Sequence, residues 1–540
     1  MLSHNCSFRI CFYLFVQIIT FFGRHCCGVM CIIPNMNRNK SENSIVIGRV
    51  AATDVPVAVA VSAVGAAGVP AADATDVSAV GATDVSAVGA TDEVMVQRLA
   101  EAVRAAGGRA WAVGGCVRDK LLGLKPKDYD VEVHGLGEAE LQAVLAKLGR
   151  IDTVGKAFGI YTLSGTNIDV ALPREEKLVG AGHRDFAVAV KPELDCRLAA
   201  ARRDFTFNAI MEDPLTGEIF DPYGGRDDLA RGRLHFVEAG RFGEDPLRVF
   251  RAAQFAARFD CRATDELVDI CRKMSLVTLP RERVAAELHK ALVQGGKPGN
   301  FFTFLAAVEQ LRPWFGEVAA VKSMRQLVAV LDRGARFREE SSVQYGFMLA
   351  VLGSELGEEG NFGLAAAAKL LERLGIAKNI QKYVLTQLTE FYHLKNVFDK
   401  NDANLAAFLR STAADLPEQP DEGWGLTTYC PKLAEINRCW FKAAVPRDLL
   451  LLAKTLDLLT NRSEARRQQA VWWASYTIFE TLQKIPPIQG RDLVAEGLEP
   501  GPRFGCWLER AENLRRGGLS RRQAIAMTVA DIKAENFSCM

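Results

Sequence analysis

Residues 111–133 read WAVGGCVRDKLLGLKPKDYDVEV, and they constrain the fold more than any other stretch of the chain. RAWAV is a short strand that runs into Gly114 and Gly115. CVRDKLLGL places Val117, Leu121 and Leu122 on one helical face. DYDVEV alternates at period two, the mark of a strand. On a strand, residues i and i+2 face one side, so Asp128 and Asp130 present two carboxylates together. Like charges so placed are costly unless a cation neutralises them, and hard oxygen ligands suit Mg²⁺. A D-x-D pair also occurs on ordinary solvated strands, so its context must decide. Here the glycine turn leads straight into a helix, whose first N–H groups and partial positive charge suit phosphate. Glycine lets the backbone approach closely, and Arg118 in the first turn adds a cation. The stretch therefore reads as a phosphate grip followed by a metal clamp. Neither G-x-x-x-x-G-K-[ST] nor G-x-G-x-x-G is present, which disfavours ordinary ATPase and dinucleotide-binding sites.

The surrounding pattern predicts a small mixed sheet. MVQRLAEAVRAAGG, from Met95, has helical spacing and a glycine stop. GIYTLSG and NIDVAL read as two further strands joined by a Gly-Thr-Asn turn. The second carries Asp169, a third carboxylate that either joins the metal or base chemistry or merely faces water. From Phe236 onward the periodicity turns helical, and residues 280–480 offer no convincing strand. The expected fold class is α+β, a small mixed-sheet head followed by a long all-α neck, body and tail. Breaks at DPYGG, QGGKPGN and LPEQPDEGWG set the expected boundaries: leader 1–94, head 95–235, neck 236–300, body 301–415 and tail 416–540.

Composition narrows the function by exclusion. Net charge is +1 over 540 residues, so any basic surface for nucleic acid must be local. The 13 cysteines include no C-x-x-C pair, which argues against a disulfide framework or a structural zinc motif and fits a reducing compartment. Phe8–Phe22 is mostly apolar but short for a membrane span. It precedes an eight-residue repeat, ATDVSAVG, with no aromatic to bury. Residues 1–94 are therefore expected to be an unfolded low-complexity leader or an over-extended gene start, with a targeting role as the alternative. No stable membrane association is expected.

Four motifs in order now extend the reading: VGGCVRD…KDYDVEV, RRDFTFNAI, DPYGGRDDL and GEDPLRVFRAAQFAARF. Together they resemble the tRNA nucleotidyltransferases, the CCA-adding enzymes of the polymerase-β-like superfamily, whose head bacterial poly(A) polymerases share. The resemblance is strong from about Met95 to Lys290 and weaker beyond. It implies that Asp128 and Asp130 hold two Mg²⁺, and that Gly115 and Arg118 contact the triphosphate of ATP or CTP. It further implies that Arg203, Asp204 and Asn208 hold the sugar and phosphates. Asp245 and Arg248, joined by Arg251, would read the base edge. Asp accepts from an exocyclic amine and Arg donates to ring or carbonyl acceptors, which suits cytosine and adenine. If Asp245 and Arg248 lie on one helix, their i, i+3 spacing gives them a shared face. An ordinary surface ion pair is what these residues would suggest without the resemblance. The implied activity is transfer of CMP and AMP to the 3′ end of tRNA. The alternatives are an A-adding or CC-adding enzyme, a poly(A) polymerase, or an inactive RNA-binding relative. The family often has arginine where this chain has Gln254, which puts a phosphate contact in doubt.

The body and tail carry weaker likenesses. Phe347–Leu388 resembles a helical metal-dependent hydrolase module named for its His-Asp pair. That pair should fall near Gly353–Gly357, yet no histidine lies between His289 and His393. A structural remnant without phosphohydrolase activity is expected. Arg515, Arg516, Arg521 and Arg522 in the tail either meet tRNA phosphates or form a solvated helix end. Residues 171–195 are the expected mobile part of the site. The substrate implies a cytoplasmic location, with organellar targeting by residues 1–94 left open.

Overall fold

The computed structural model describes residues 85–152, 160–178, 186–357, 363–400, 402–426, 429–457 and 462–534. The leader up to residue 84, including Phe8–Phe22, lies outside them. The first helix spans Val85–Ala105 and so starts ahead of Met95. It begins within the small-residue repeat, whose alanines favour helix. Asp92, at the end of the repeat, is buried and accepts a hydrogen bond from Asn167 Nδ2 at 3.1 Å. The last of the repeat is thus tied to the head.

The head is a seven-stranded mixed sheet. Its strands are β1 (Arg109–Val113), β2 (Tyr129–His134), β3 (Ile151–Asp152), β4 (Ile160–Leu163), β5 (Ile168–Ala171), β8 (Met211–Glu212) and β9 (Ile219–Phe220), in spatial order β3-β4-β5-β2-β1-β8-β9. A separate antiparallel hairpin joins β6 (Arg174–Leu178) to β7 (Phe186–Val190). It falls in the stretch expected to be mobile, and its tip lies outside the described residues. In the main sheet β2 pairs parallel with β5, and the other pairings are antiparallel. The helix Gly115–Leu121 stands between β1 and β2, as the sequence predicts.

One face of the sheet buries Ala110, Ala112, Tyr129, Val131 and Val133 in the main core, together with Leu99 and Val103 of the first helix. The opposite face carries Trp111, Val113 and Met211 in a smaller cluster with Ala200 and Ala209. Period two therefore sends Asp130 and Glu132 to this second face, opposite Val113 and Trp111 in the β1 register. Beyond the head the described residues are helical, apart from a two-residue strand, Arg262–Ala263, that pairs with Arg233–Leu234.

The helix Leu247–Phe259 locks onto the head through aromatic contacts. Phe255 meets Phe205 and Phe207 edge-on at 5.4 and 5.3 Å between ring centroids. On its other side Phe250 packs against Phe301 and Phe315. The main apolar core thus runs unbroken from Val96 to Ile485, across the residue positions 235, 300 and 415. A second core, Ile488 to Val529, closes the tail. Among the described residues no helix is long and apolar enough to cross a membrane, and the seven cysteines are free thiols.

Candidate active site

Asp130 and Asp169 are register partners on the parallel strands β2 and β5, and Asp128 immediately precedes β2. Asp128 and Asp130 both keep solvent-accessible surface, although protein atoms crowd around the Asp130 carboxyl. Burial by surrounding protein pushes the Asp130 carboxyl above its ordinary range; the charges of Asp169 and Asp128 add to this, against the pull of the Arg203 guanidinium. Three carboxylates therefore repel one another at one place on the sheet. Asp169 is steadied by Thr162 Oγ1 of the adjacent strand, which donates to its Oδ1 at 2.6 Å. An oxygen-only donor set under mutual repulsion fits a hard divalent cation.

The glycine turn shapes the near wall. Gly114 has φ +76° and caps the helix Gly115–Leu121. A Cβ at Gly114 would sit 2.9 Å from Arg203 Nη1 and 3.5 Å from Asp130 Oδ2. At Gly115 it would meet Arg118 Nη2 at an ordinary 3.5 Å. Close approach thus depends on Gly114, the neighbour of the glycine the sequence singled out. Among the described residues no carboxylate lies within ion-pair distance of Arg203. Burial, then the like charge of Arg202, pulls its guanidinium below the usual arginine range. A partly buried cation at a cramped turn, beside a metal-type carboxylate cluster, is placed to meet an anion. Gly114→Ala should therefore strain the backbone and push Arg203 aside. The KM for CTP and ATP is expected to rise about tenfold, equivalent to ~1.4 kcal/mol. Steady-state kinetics with thermal melting alongside would reveal an unaltered KM if the turn is incidental.

Arg118, Asn208, Asp204 and the partly buried Arg251 form one chain. Arg118 Nη1 donates to Asn208 Oδ1 at 2.7 Å, and Asn208 Nδ2 donates to Asp204 Oδ1 at 2.9 Å. Arg251 Nε donates to Asp204 Oδ2 at 2.6 Å. Arg118 also pairs with Asp119 at 2.6 Å and lies over the rings of Phe259 and Phe255. Burial pushes Asp204 up, but Arg251 and Asn208 more than reverse this and hold its carboxyl below the ordinary value. These four residues connect the turn helix to the helix Leu247–Phe259.

Asp245 lies outside that helix, not within it as i, i+3 pairing assumed. Pro246 caps the helix, and Asp245 Oδ1 accepts from Leu247 N at 3.0 Å. Its other oxygen takes Arg283 Nη2 at 3.0 Å. Arg248 donates to the backbone carbonyls of Arg241 and Arg202 at 2.6 and 2.8 Å. The two side chains stand near each other but are held by different partners.

Glu132 is a further residue of this face, two positions after Asp130 on β2. It is buried, accepts from Arg202 Nη2 at 2.7 Å, and lies 3.1 Å from His134 Nε2. Burial raises Glu132, but His134 and Arg202 bring it to about 2. Burial lowers His134, but Cys196 and Glu132 raise it to about 9. Both are charged at neutral pH and anchor the strand beside the carboxylates. Gln254 is buried, and its Nε2 has no hydrogen-bond partner among the described residues.

The tail arginines divide. Arg515 is buried against Glu512 at 2.9 Å and the Leu482 carbonyl, and Arg521 pairs with Asp492 and Glu422. Arg516 lies over the Phe441 ring and 3.7 Å from Glu512. Arg522 is exposed, without an ion-pair partner among the described residues. Of the four, Arg515 and Arg521 are thus engaged within the protein, Arg516 is partly buried, and Arg522 is the one open to solvent.

A mixed-sheet head with a carboxylate cluster beside a glycine turn, backed by a helical neck, defines a nucleotidyltransferase head. Residues 110–235 match the family model described as the poly A polymerase head domain. The chain is 34% identical over 317 residues to a multifunctional CCA protein of Chromobacterium violaceum, covering 53% of this chain and 74% of that one. It is 33% identical over 314 residues to a protein of the same name from Nitrosococcus oceani, again covering 53% and 74%. The chain belongs to the family of multifunctional CCA proteins and CCA-adding enzymes. Its fold resembles an apo CCA-adding enzyme (TM-score 0.57, 18% identity, 83% of this chain and 99% of that one). It also resembles the Thermotoga maritima CCA-adding enzyme complexed with tRNA (TM-score 0.54, 19% identity, 83% and 98%).

Proposed function

We propose that this protein transfers CMP and AMP from CTP and ATP to the 3′ end of tRNA, building or repairing the CCA end. The observation that carries the reading is the convergence of Asp128, Asp130 and Asp169 beside Gly114 and Arg203. Asp128 and Asp130 would hold Mg²⁺ as a two-ion site, with Asp169 as a further oxygen donor. Bound there, Mg²⁺ would activate the attacking 3′-hydroxyl and offset charge on the departing pyrophosphate. Arg203 and the Gly114–Gly115 turn would grip the triphosphate, with Arg118 supporting the turn from inside. Asp204 and Asn208 would set the neck against the head, so that nucleotide sugar and phosphates meet one rigid wall. Asp245 and Arg248, with Arg251 one turn on, would read the amine-bearing edge shared by cytosine and adenine. The head would run to 235 and take in the helix that starts at Val85, ahead of the expected 95, with the neck at 236–300, the body at 301–415 and the tail at 416–540, working in the cytoplasm where tRNA and nucleotides meet.

The deciding assay supplies tRNAs ending before CCA, after C and after CC, each with labelled CTP or ATP and Mg²⁺. Addition of C and then A is expected. A-only addition or long A tails would assign the narrower activities, and no transfer would mark an inactive RNA-binding relative.

A further inference from the structure

Away from the head, two packed helices bring metal-ligating side chains together. The helix Lys378–Phe398 carries Glu390 and His393, three apart and therefore on one face. The helix Pro431–Lys442 lies against it and carries Cys439. One donor atom from each of the three lies within 4.8 Å of the other two. His393 Nδ1 is 3.5 Å from Glu390 Oε2. Glu390 is 9% exposed at its side chain, and among the described residues no lysine or arginine stands within ion-pair distance of it. Its hydrogen-bond partner is the Cys439 thiol and not a cation, and a buried carboxylate without a cationic partner favours a cation beside it. His393 is 61% exposed, so the cluster has an open side. The other charged groups near Cys439 are Glu435 and Arg438, both exposed on the same helix.

We propose that Glu390, His393 and Cys439 form a binding site for a borderline divalent transition metal, with Zn²⁺ the best match. The donor set is one oxygen, one nitrogen and one sulfur. Thiolate and imidazole suit Zn²⁺, whereas Mg²⁺ prefers oxygen. A tetrahedral shell with bonds of about 2.0–2.3 Å needs donors roughly 3.5 Å apart. His393, exposed and already 3.5 Å from Glu390, is the ligand that would move to close that gap. Three protein ligands leave the fourth position, toward solvent, for water. Binding releases the thiol proton and joins the two helices. No C-x-x-C spacing announces such a site, because its ligands come from two helices far apart in the chain. It is also distinct from the histidine-free Gly353–Gly357 segment.

The test uses the full chain, stripped with a chelator and titrated with Co²⁺, which reports thiolate ligation by a charge-transfer band that oxygen sites do not give. The expected result is one equivalent with that band, displaced by Zn²⁺, and a Zn²⁺-dependent rise in melting temperature. Cys439→Ser should abolish the band. His393→Ala, at an exposed position that leaves the fold intact, should weaken Co²⁺ binding at least about tenfold, the scale of losing even a supporting partner of a ligand. Nucleotidyl transfer in Mg²⁺ should persist in both. A wild-type protein without the band, a band that survives Cys439→Ser, or unchanged affinity in His393→Ala would overturn the proposal.

Discussion

Asp130→Asn is expected to reduce labelled nucleotide transfer to tRNA by at least about a thousandfold, with tRNA affinity held within about threefold. Asp130 is the register partner of Asp169 and faces the Gly114 turn, so it is the centre of the carboxylate cluster. Metal-assisted charge stabilisation contributes several kcal/mol, and each 1.36 kcal/mol is tenfold in rate. Asparagine keeps the shape but loses the charge that a divalent cation needs. Since burial first, and then the charges of Asp169 and Asp128, push the Asp130 pKa up, removing its charge relieves that cost. The variant should therefore melt no lower than the wild type while failing in catalysis. Asp128→Ala should behave similarly. Single-turnover transfer and a tRNA binding isotherm read the two effects apart; a variant keeping a tenth of the wild-type rate would refute the metal assignment.

Asp204→Ala has the largest expected effect on stability. It removes the carboxylate that receives Arg251 and Asn208, leaving a half-buried guanidinium without its hydrogen-bonded partner and with only the more distant charges of Glu287 and Asp245. Breaking a buried ion pair from one side costs about 3–5 kcal/mol. Arg251 keeps 31% of its side chain exposed, so the lower end is expected. Arg251→Ala paired with Asp204→Ala should show a coupling of about 1–3 kcal/mol in a double-mutant cycle. The pH sign follows from the lowered Asp204 pKa. Its stabilisation is complete above the ordinary aspartate value of 3.8 and disappears as pH falls through the lower folded value. The gap between wild type and Asp204→Ala should thus be constant near neutral pH and narrow below about pH 4. Urea midpoints measured at several pH values test this, and an unshifted midpoint would show that Asp204 acts on substrate rather than on the neck.

Much of the site was legible because its first half is local. Alternation in DYDVEV, the glycine turn and the short helix between them were readable from neighbouring residues, and the structure has them as β2, the Gly114 cap and Gly115–Leu121. Less legible were features whose causes lie elsewhere in the chain. Gly114 is the crowded glycine because Arg203 arrives beside it. Glu132 is buried because Arg202 and His134 pair with it. Asp245 falls outside its helix because Pro246 takes the cap position. Arg515 reads in sequence as either a phosphate ligand or part of a solvated helix end, yet Glu512 and the Leu482 carbonyl enclose it. The β8–β9 pair consists of strands of two residues each, too short for any periodicity to show.

What the amino-acid order determined by itself was the direction of side chains within single elements. Period two sends Asp130 and Glu132 to one face of β2, and chain adjacency sets Asp128 just ahead of the strand, where it pairs with Asp130 as the local carboxylate pair. Tertiary structure decided which elements meet. Asp169 joins the pair because β5 docks parallel to β2. Arg118 is turned inward because Asn208, ninety positions away, is there to receive it. Glu390, His393 and Cys439 converge because two helices pack side by side. Direction within an element follows from backbone geometry a few bonds long, whereas adjacency between elements follows from burying apolar faces against one another. That burial depends on the whole core, so no short stretch of the chain encodes it.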